Sequence, residues 1–198
     1  LGMSVQALIC RDKYLKTTGP TVIVCPASIK YNWQRECEKH FGWRAVVLEG
    51  RTPPKDHAFL KQERIFILNY DILGLRDPTE KVRKPKSWVD FFAKVYPAMV
   101  IFDEGHYLVN LDAKRTKGAI QLVDDVPHVL MLTGTPVTSK PINLFALCKI
   151  VKPGLFPSFW KFVQRYCAPR LGPYGWDYSG ASNLRELNQI LTSKCMVR

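Results

Sequence analysis

The chain has 198 residues, 46% of them hydrophobic and 23% charged, proportions of a folded globular domain that exclude wholesale disorder. No apolar run reaches the roughly 18–20 residues needed to cross a bilayer, and Leu1-Gly2-Met3-Ser4 lacks the basic stretch and apolar core of a signal peptide. Lys plus Arg number 29 against 17 Asp plus Glu, and the resulting net charge of +12 favours an anionic partner such as nucleic acid.

The predicted elements alternate. Val5–Leu15 is expected to be helical, followed by a β-branched strand at Thr21–Cys25. In Ile29–Phe41, the residues Ile29, Trp33, Cys37 and Phe41 recur at every fourth position and form one apolar helical stripe. Strands are expected at Ala45–Leu48 and Ile65–Leu68, then an exposed basic loop over Arg76–Lys86 that includes Arg83, Lys84 and Lys86. The next strand, Met99–Phe102, precedes a helix at Lys114–Val123, and Val129–Leu132 precedes one at Pro141–Ile150 with proline in its permissive first turn. Beyond Pro153 no strand pattern returns; Phe156–Tyr166 and Asn183–Leu191 are expected to be helices separated by a loop. Strand and helix in this rhythm define an α/β fold, a parallel sheet covered on both faces. Residues 1–152 would form the sheet domain and 153–198 a helical appendage.

The six cysteines (Cys10, Cys25, Cys37, Cys148, Cys167 and Cys195) show no C-x-x-C pair and no histidine at metal-ligand spacing. Three lie in apolar segments, which predicts free thiols in a reducing, intracellular compartment. Trp33 and Trp176 are expected to serve as core packing. Without an initiator Met, the chain is expected to begin inside a longer protein.

Open parallel sheets bind ligands at the carboxyl ends of their strands. Met99–Phe102 runs straight into Asp103-Glu104-Gly105-His106. Adjacent carboxylates there suit a magnesium nucleotide, one holding the metal and the other orienting water. The alternative is a surface turn with two solvated acids. Val129–Leu132 ends in Thr133-Gly134-Thr135-Pro136, where a glycine between two hydroxyls permits close backbone approach; the alternative is a Gly-Pro turn that caps a helix. At the amino end, Gly2 and Ser4 supply parts of a phosphate loop, which needs glycine, a lysine and a hydroxyl at a helix start. The lysine is absent.

In order, these segments resemble the motifs of the Swi/Snf-type, superfamily-two ATPases. Leu1-Gly2-Met3-Ser4-Val5-Gln6-Ala7 is similar to L-G-x-G-K-S/T-x-Q-A. Val24-Cys25-Pro26-Ala27-Ser28 with Asn32-Trp33-Gln34-Arg35-Glu36 resembles V-x-P-x-S followed by N-W-x-x-E. Ile67-Leu68-Asn69-Tyr70-Asp71-Ile72-Leu73 resembles I-x-N-Y-D/E-x-L. Asp103 to Asn110 matches D-E-A/G/S-H-x-L/I-K-N, with Val109 at the lysine. Leu132 to Pro136 matches L-T/S-G-T-P, and Met196-Val197-Arg198 resembles the start of M-x-R-R-x-K. In the tail, Arg165-Tyr166-Cys167 and Gly175 to Leu184 resemble a segment of the HARP-like annealing helicases, which rewind single-stranded DNA and remodel forks.

The resemblance implies a RecA-like lobe of an ATP- and magnesium-dependent DNA translocase that works on duplex or fork-like DNA. Gly2, Met3, Ser4 and Gln6 would bind the nucleotide, with Ser4 and Asp103 on the metal. Glu104 would polarise the attacking water, and His106, Thr133, Gly134 and Thr135 would couple nucleotide state to the DNA face. Pro26, Ala27, Ser28, Asn69 and Tyr70 would lie near the nucleic-acid backbone. His106 alone could instead be a buried structural histidine.

Two departures stand out. The Gly-Lys pair is missing between Met3 and Ser4, and the expectation is that the intact protein carries it. The second RecA-like lobe that such motors need is absent, so this lobe alone is expected to be inactive. An RNA-directed helicase of the same fold is disfavoured by the Asn32-Trp33 and Asn69-Tyr70 segments. A catalytically dead DNA-binding or scaffolding module takes the missing lysine literally. The family implies a nuclear protein in a eukaryote, otherwise a cytoplasmic one associated with the nucleoid. No membrane partner is expected.

Overall fold

The computed structural model describes residues 2–15, 19–55, 60, 63–76, 85–134, 140–173 and 175–197. Five parallel strands form one sheet: β1 (Thr21–Cys25), β2 (Val46–Val47), β3 (Ile65–Asn69), β4 (Met99–Phe102) and β5 (His128–Met131). Their spatial order is β2-β3-β1-β4-β5. The three central strands are apolar throughout because both of their faces are covered, and side-chain direction alternates along each. Val22, Val24, Phe66, Leu68, Val100 and Phe102 point into one core. Ile23, Cys25, Ile65, Ile67, Met99 and Ile101 point into the other. The α/β prediction therefore holds strand by strand, with ends shifted by a residue or two.

The helices divide between these faces. Helix α1 (Met3–Ile9), extended by wider turns through Cys10–Leu15, and helix α2 (Lys30–Phe41) cover one side. From them Ala7, Leu8, Trp33 and Cys37 enter the core. The opposite side is covered by α3 (Trp88–Val95), α4 (Lys114–Leu122) and part of α5 (Pro141–Val151). Helix α2 ends at Gly42, whose φ of 64° is the left-handed conformation that terminates helices without a Cβ penalty.

Helix α3 was not expected from periodicity. It buries Trp88, Val89, Asp90, Phe91 and Phe92 and exposes only Lys94, so within eight residues a single outward position is too little to mark a helical period. Its start is nevertheless fixed by a capping box: Asp90 N donates to Ser87 Oγ, and Ser87 N donates to Asp90 Oδ2, both at 3.1 Å. The Ser-x-x-Asp spacing ahead of an apolar run was the available signal.

The appendage holds helices α6 (Phe159–Tyr166) and α7 (Leu184–Lys194), and it also contains strands. An antiparallel pair, β6 (Arg170–Gly172) and β7 (Gly175–Asp177), overturns the expectation of none beyond Pro153. The pair is almost wholly exposed and three residues long on each side, so no hydrophobic alternation announces it. Trp176 is likewise not core: it is 51% exposed and stands edge-on to Trp160, with ring centres 6.1 Å apart. A third core joins Leu144, Phe145 and Cys148 of α5 to Phe162, Val163, Leu187 and Leu191. Helix α5 thus belongs to both the sheet and the appendage.

The tail block that marks the annealing-helicase resemblance is tied together by hydrogen bonds. Glu186 takes Tyr166 Oη at 2.7 Å and also pairs with Arg165. Ser182 Oγ and Asn183 Nδ2 both donate to Arg165 O at 2.7 Å. Gly180 is required by close approach, since a Cβ there would come within 2.7 Å of Cys167 O.

All six cysteines are free, as expected. Burial pushes the Cys25 and Cys148 thiols up to about 12, and those of Cys37 and Cys167 up to about 11. Only a thiolate is alkylated. Brief iodoacetamide treatment of the folded protein near pH 8 is therefore expected to label Cys10 and Cys195 ahead of these four, as peptide mass mapping would show. Equal labelling at Cys25 would contradict this packing.

Candidate functional site

The connection after β1 runs outward through α2 toward β2, whereas the one after β4 runs through α4 to β5 on the opposite side. The two departures make the carboxyl ends of β1 and β4 the topological switch point of the sheet, the position where open α/β sheets bind ligands. Pro26, Ala27 and Ser28 follow β1, and Asp103 and Glu104 follow β4. Asp103 N donates to Val24 O at 2.8 Å, which continues the β1–β4 ladder to the acid itself.

Asp103 is 8% exposed and held on several sides. Its Oδ2 accepts from Trp33 Nε1 at 2.7 Å, and its Oδ1 from the amide of Glu104 at 3.0 Å. Its backbone carbonyl accepts from Tyr70 Oη at 2.6 Å. Burial, reinforced by the Asp103 charge, pushes the Tyr70 hydroxyl well above the ordinary phenol range, so it remains a donor. Tyr70 in turn lies parallel to Tyr107, with ring centres 5.4 Å apart.

Glu104 adopts φ 55° and ψ 55°, a left-handed conformation unusual for a side-chain-bearing residue and costly enough to need support from its surroundings. That support comes from the next residue. Gly105 N donates to Leu132 O at 2.9 Å, and a Cβ at Gly105 would lie 2.5 Å from Met131 Cγ. The turn after β4 is thereby pressed against the end of β5. The Glu104 carboxylate projects half-exposed, 3.2 Å from His106 Nδ1 but without hydrogen-bond alignment. His106 is itself half-exposed, so the buried structural alternative does not describe it.

Other expected site residues are placed less uniformly. Ala27 and Ser28 are exposed on a short 3-10 turn, with Pro26 half-buried before it. Asn69 and Tyr70 are 8% and 3% exposed at the end of β3, where the Tyr70 hydroxyl braces the acid. Thr133 is half-buried and Gly134 exposed just beyond β5, while Thr135 lies outside the described residues. Gly2 is the extended N-cap of α1, Met3 its exposed first residue, and Ser4 and Gln6 follow, half-buried and exposed respectively.

The sequence reading missed two things. Trp33 is core, as expected, yet it is also the chief side-chain partner of Asp103; an apolar stripe conceals an indole N–H. Arg51, Tyr70, Leu75, Lys114 and Arg115 line a cleft of about 500 Å³ beside the acid turn. Arg115 also lies over the Tyr107 ring, 5.5 Å from its centre. Arg51 is brought to the adjacent pair Lys114-Arg115 only by the fold, so the sequence did not reveal the group.

A magnesium nucleotide fits half of this arrangement. An ionised carboxylate offers about four lone-pair sites; Asp103 uses two on protein donors and keeps the rest for a hydrated cation. Ser4 adds a hydroxyl near the start of α1. No lysine accompanies it.

A parallel sheet with paired acids at its switch point defines a RecA-like lobe of the helicase type. The chain belongs to the SNF2-related domain family, which it matches over residues 3–198. It is 33% identical over 206 aligned positions to the Xenopus tropicalis SWI/SNF-related matrix-associated actin-dependent regulator of chromatin subfamily A-like protein 1, covering 100% of this chain and 19% of that protein. It is 30% identical to the human DNA annealing helicase and endonuclease ZRANB3, covering 100% and 18%. The Sulfolobus solfataricus SWI2/SNF2 ATPase core in complex with dsDNA shares the fold with a TM-score of 0.71 at 23% identity, across 100% of this chain and 38% of that one. The chain thus spans about a fifth of the length of these two sequence relatives.

Removing either brace of Asp103 should be felt in stability. Trp33→Phe leaves Oδ2 without its donor and is expected to cost about 1–3 kcal/mol; Tyr70→Phe should cost about 0.5–1.5 kcal/mol. Urea unfolding midpoints measure both, and unchanged midpoints would remove Trp33 and Tyr70 from the support of the acid.

Proposed function

We propose that this chain is the amino-terminal lobe of an ATP-dependent DNA translocase of the annealing-helicase kind, working against a second RecA-like lobe. The observation that carries this reading is the set of hydrogen bonds that ties the motif tryptophan and tyrosine to Asp103 and the acid turn to the end of β5. Bound MgATP supplies a γ-phosphoryl group for in-line attack by water, with the metal neutralising developing charge. Asp103 would hold the hydrated metal, and Ser4 would offer it a hydroxyl. Glu104, projecting from its left-handed turn, orients the attacking water. His106 lies beside that carboxylate and on the turn that reaches β5, where it couples the acid to Thr133 and Gly134.

Movement of Asp103 is felt in two directions, through Trp33 into α2 and through Tyr70 into the end of β3. Helix α2 follows directly from the turn that displays Ala27 and Ser28, so a shift at the acid reaches the surface that would touch DNA. The cleft formed by Arg51, Lys114 and Arg115, which Tyr70 also lines, adds phosphate contacts beside Asn69 and Tyr70. Domain roles follow the same division: residues 1–152 grip nucleotide and DNA, and 153–198 lead toward the second lobe. Among the described residues no helix is long and apolar enough to cross a membrane. We place its action on chromosomal DNA, nuclear in a eukaryote.

Backbone grip has a salt signature. Each phosphate neutralised on duplex DNA contributes a slope of about −0.9 to log affinity against log salt, without base information. Charge removal at Arg51, Lys114 and Arg115 together is expected to flatten that slope by up to about 2.7, while scrambling the DNA sequence changes little. Fluorescence-anisotropy titrations at several salt concentrations measure it. Affinity that is flat with salt, or strongly sequence-selective, would defeat this reading.

A further inference from the structure

The start of α1 holds a residue that the nucleotide-site reading leaves unexplained. Arg11 Nε donates to Thr21 Oγ1, at the first residue of β1, at 2.8 Å. Upstream, Ala7 and Leu8 share a core with Ile23 and Cys25. The α1 segment therefore runs antiparallel to β1. At about 1.5 Å of rise per residue, Met3 lies about 12 Å from Arg11 toward the carboxyl edge of the sheet. That is the edge that carries Asp103 and Glu104.

A phosphate loop places glycine, lysine and a hydroxyl residue consecutively at such a corner. The glycine lets the backbone approach, the lysine reaches the terminal phosphates, and the hydroxyl meets magnesium. Here Gly2 is the N-cap in extended conformation, and Met3 and Ser4 open the helix without interruption. The first turn is closed by Gln6 N on Gly2 O at 3.2 Å. In gap-free register Gly2 takes the glycine position, Ser4 the hydroxyl position and Met3 the lysine position. This register accounts for the missing lysine with one substitution and needs no inserted pair between Met3 and Ser4. Met3 is also 43% exposed, so the position does not hold an apolar chain for the sake of the core.

Two cations packed beside this layer are engaged elsewhere. Arg11 is bound at the opposite edge of the sheet and lies over the Trp43 ring, and Lys30 Nζ donates to Leu48 O at 3.1 Å. A thioether carries no charge and cannot donate a hydrogen bond, so it does not replace an ammonium on a phosphate oxygen.

We propose that Met3 occupies the position of the phosphate-clamping lysine, and that this lobe keeps its acid pair and DNA face while holding nucleoside triphosphate without a clamp. The proposal rests on the nucleotide-site reading above. Its consequence is a lobe with a weakened hold on nucleoside triphosphate, which a single substitution would strengthen.

The test uses the full-length protein, a fluorescent ATP analogue with magnesium, and equilibrium titration. Met3→Lys is expected to tighten nucleotide binding by about ten- to a hundredfold, the range that one charge-assisted hydrogen bond supplies. Adding Glu104→Gln to Met3→Lys should keep the gain in affinity and remove phosphate release. If the Lys variant melts early, Met3→Arg carries the same charge and is judged by the same titration. Wild-type affinity equal to that of the folded Lys or Arg variant would overturn this inference alone. If wild type and the charged variants all fail to bind nucleotide yet melt normally and hold DNA, the nucleotide-site reading beneath it falls as well.

Discussion

A carboxylate removed from water must be held by donors, and the layout of this lobe follows from how Asp103 is held. The indole of Trp33 reaches it across the sheet edge from α2, and Tyr70 Oη reaches its carbonyl from the end of β3. The ladder with β1 runs up to its own amide. Each donor comes from a different stretch of chain, so the acid cannot shift without disturbing all of them. Satisfied polar networks of this kind rigidify and specify a unique arrangement. The adjoining Glu104 turn is strained, and the space at Gly105 and the hydrogen bond to Leu132 hold it in place.

The same arrangement explains which parts of the molecule were legible in sequence. Strands β1, β3 and β4 announce themselves because burial on both faces demands unbroken apolar runs. Asp103 and Glu104 were legible because an acid pair directly after such a run marks a strand end. Helix α3 was obscured by the opposite effect: a helix buried on nearly every side loses the period that betrays it. The β6–β7 pair was obscured because exposure leaves nothing to alternate.

Side-chain roles were harder to infer than elements. Tyr70 and Asn69 follow a strand directly and carry polar groups, which on sequence grounds suits a surface contact. Whether such residues face solvent depends on what packs over them, and here the parallel ring of Tyr107 covers Tyr70. Trp33 shows the converse, a residue fully explained by its apolar stripe whose single polar atom does separate work. The cleft beside the turn brings Arg51 to the adjacent pair Lys114 and Arg115, more than sixty residues further along the chain.

Helix α5 is buried on two sides, with Leu147 and Ile150 turned to the sheet and Leu144, Phe145 and Cys148 turned to α6 and α7. A helix clamped between two cores transmits displacement as a stiff beam. The helices that carry the Arg165–Glu186 cluster are therefore packed onto the sheet domain through α5 and are not joined to it by Lys152 alone. For protein engineering, this places the severable joint outside residues 141–194. A cut after Lys152 would strip the cover from Leu144 and Phe145 and leave an adhesive apolar face in water.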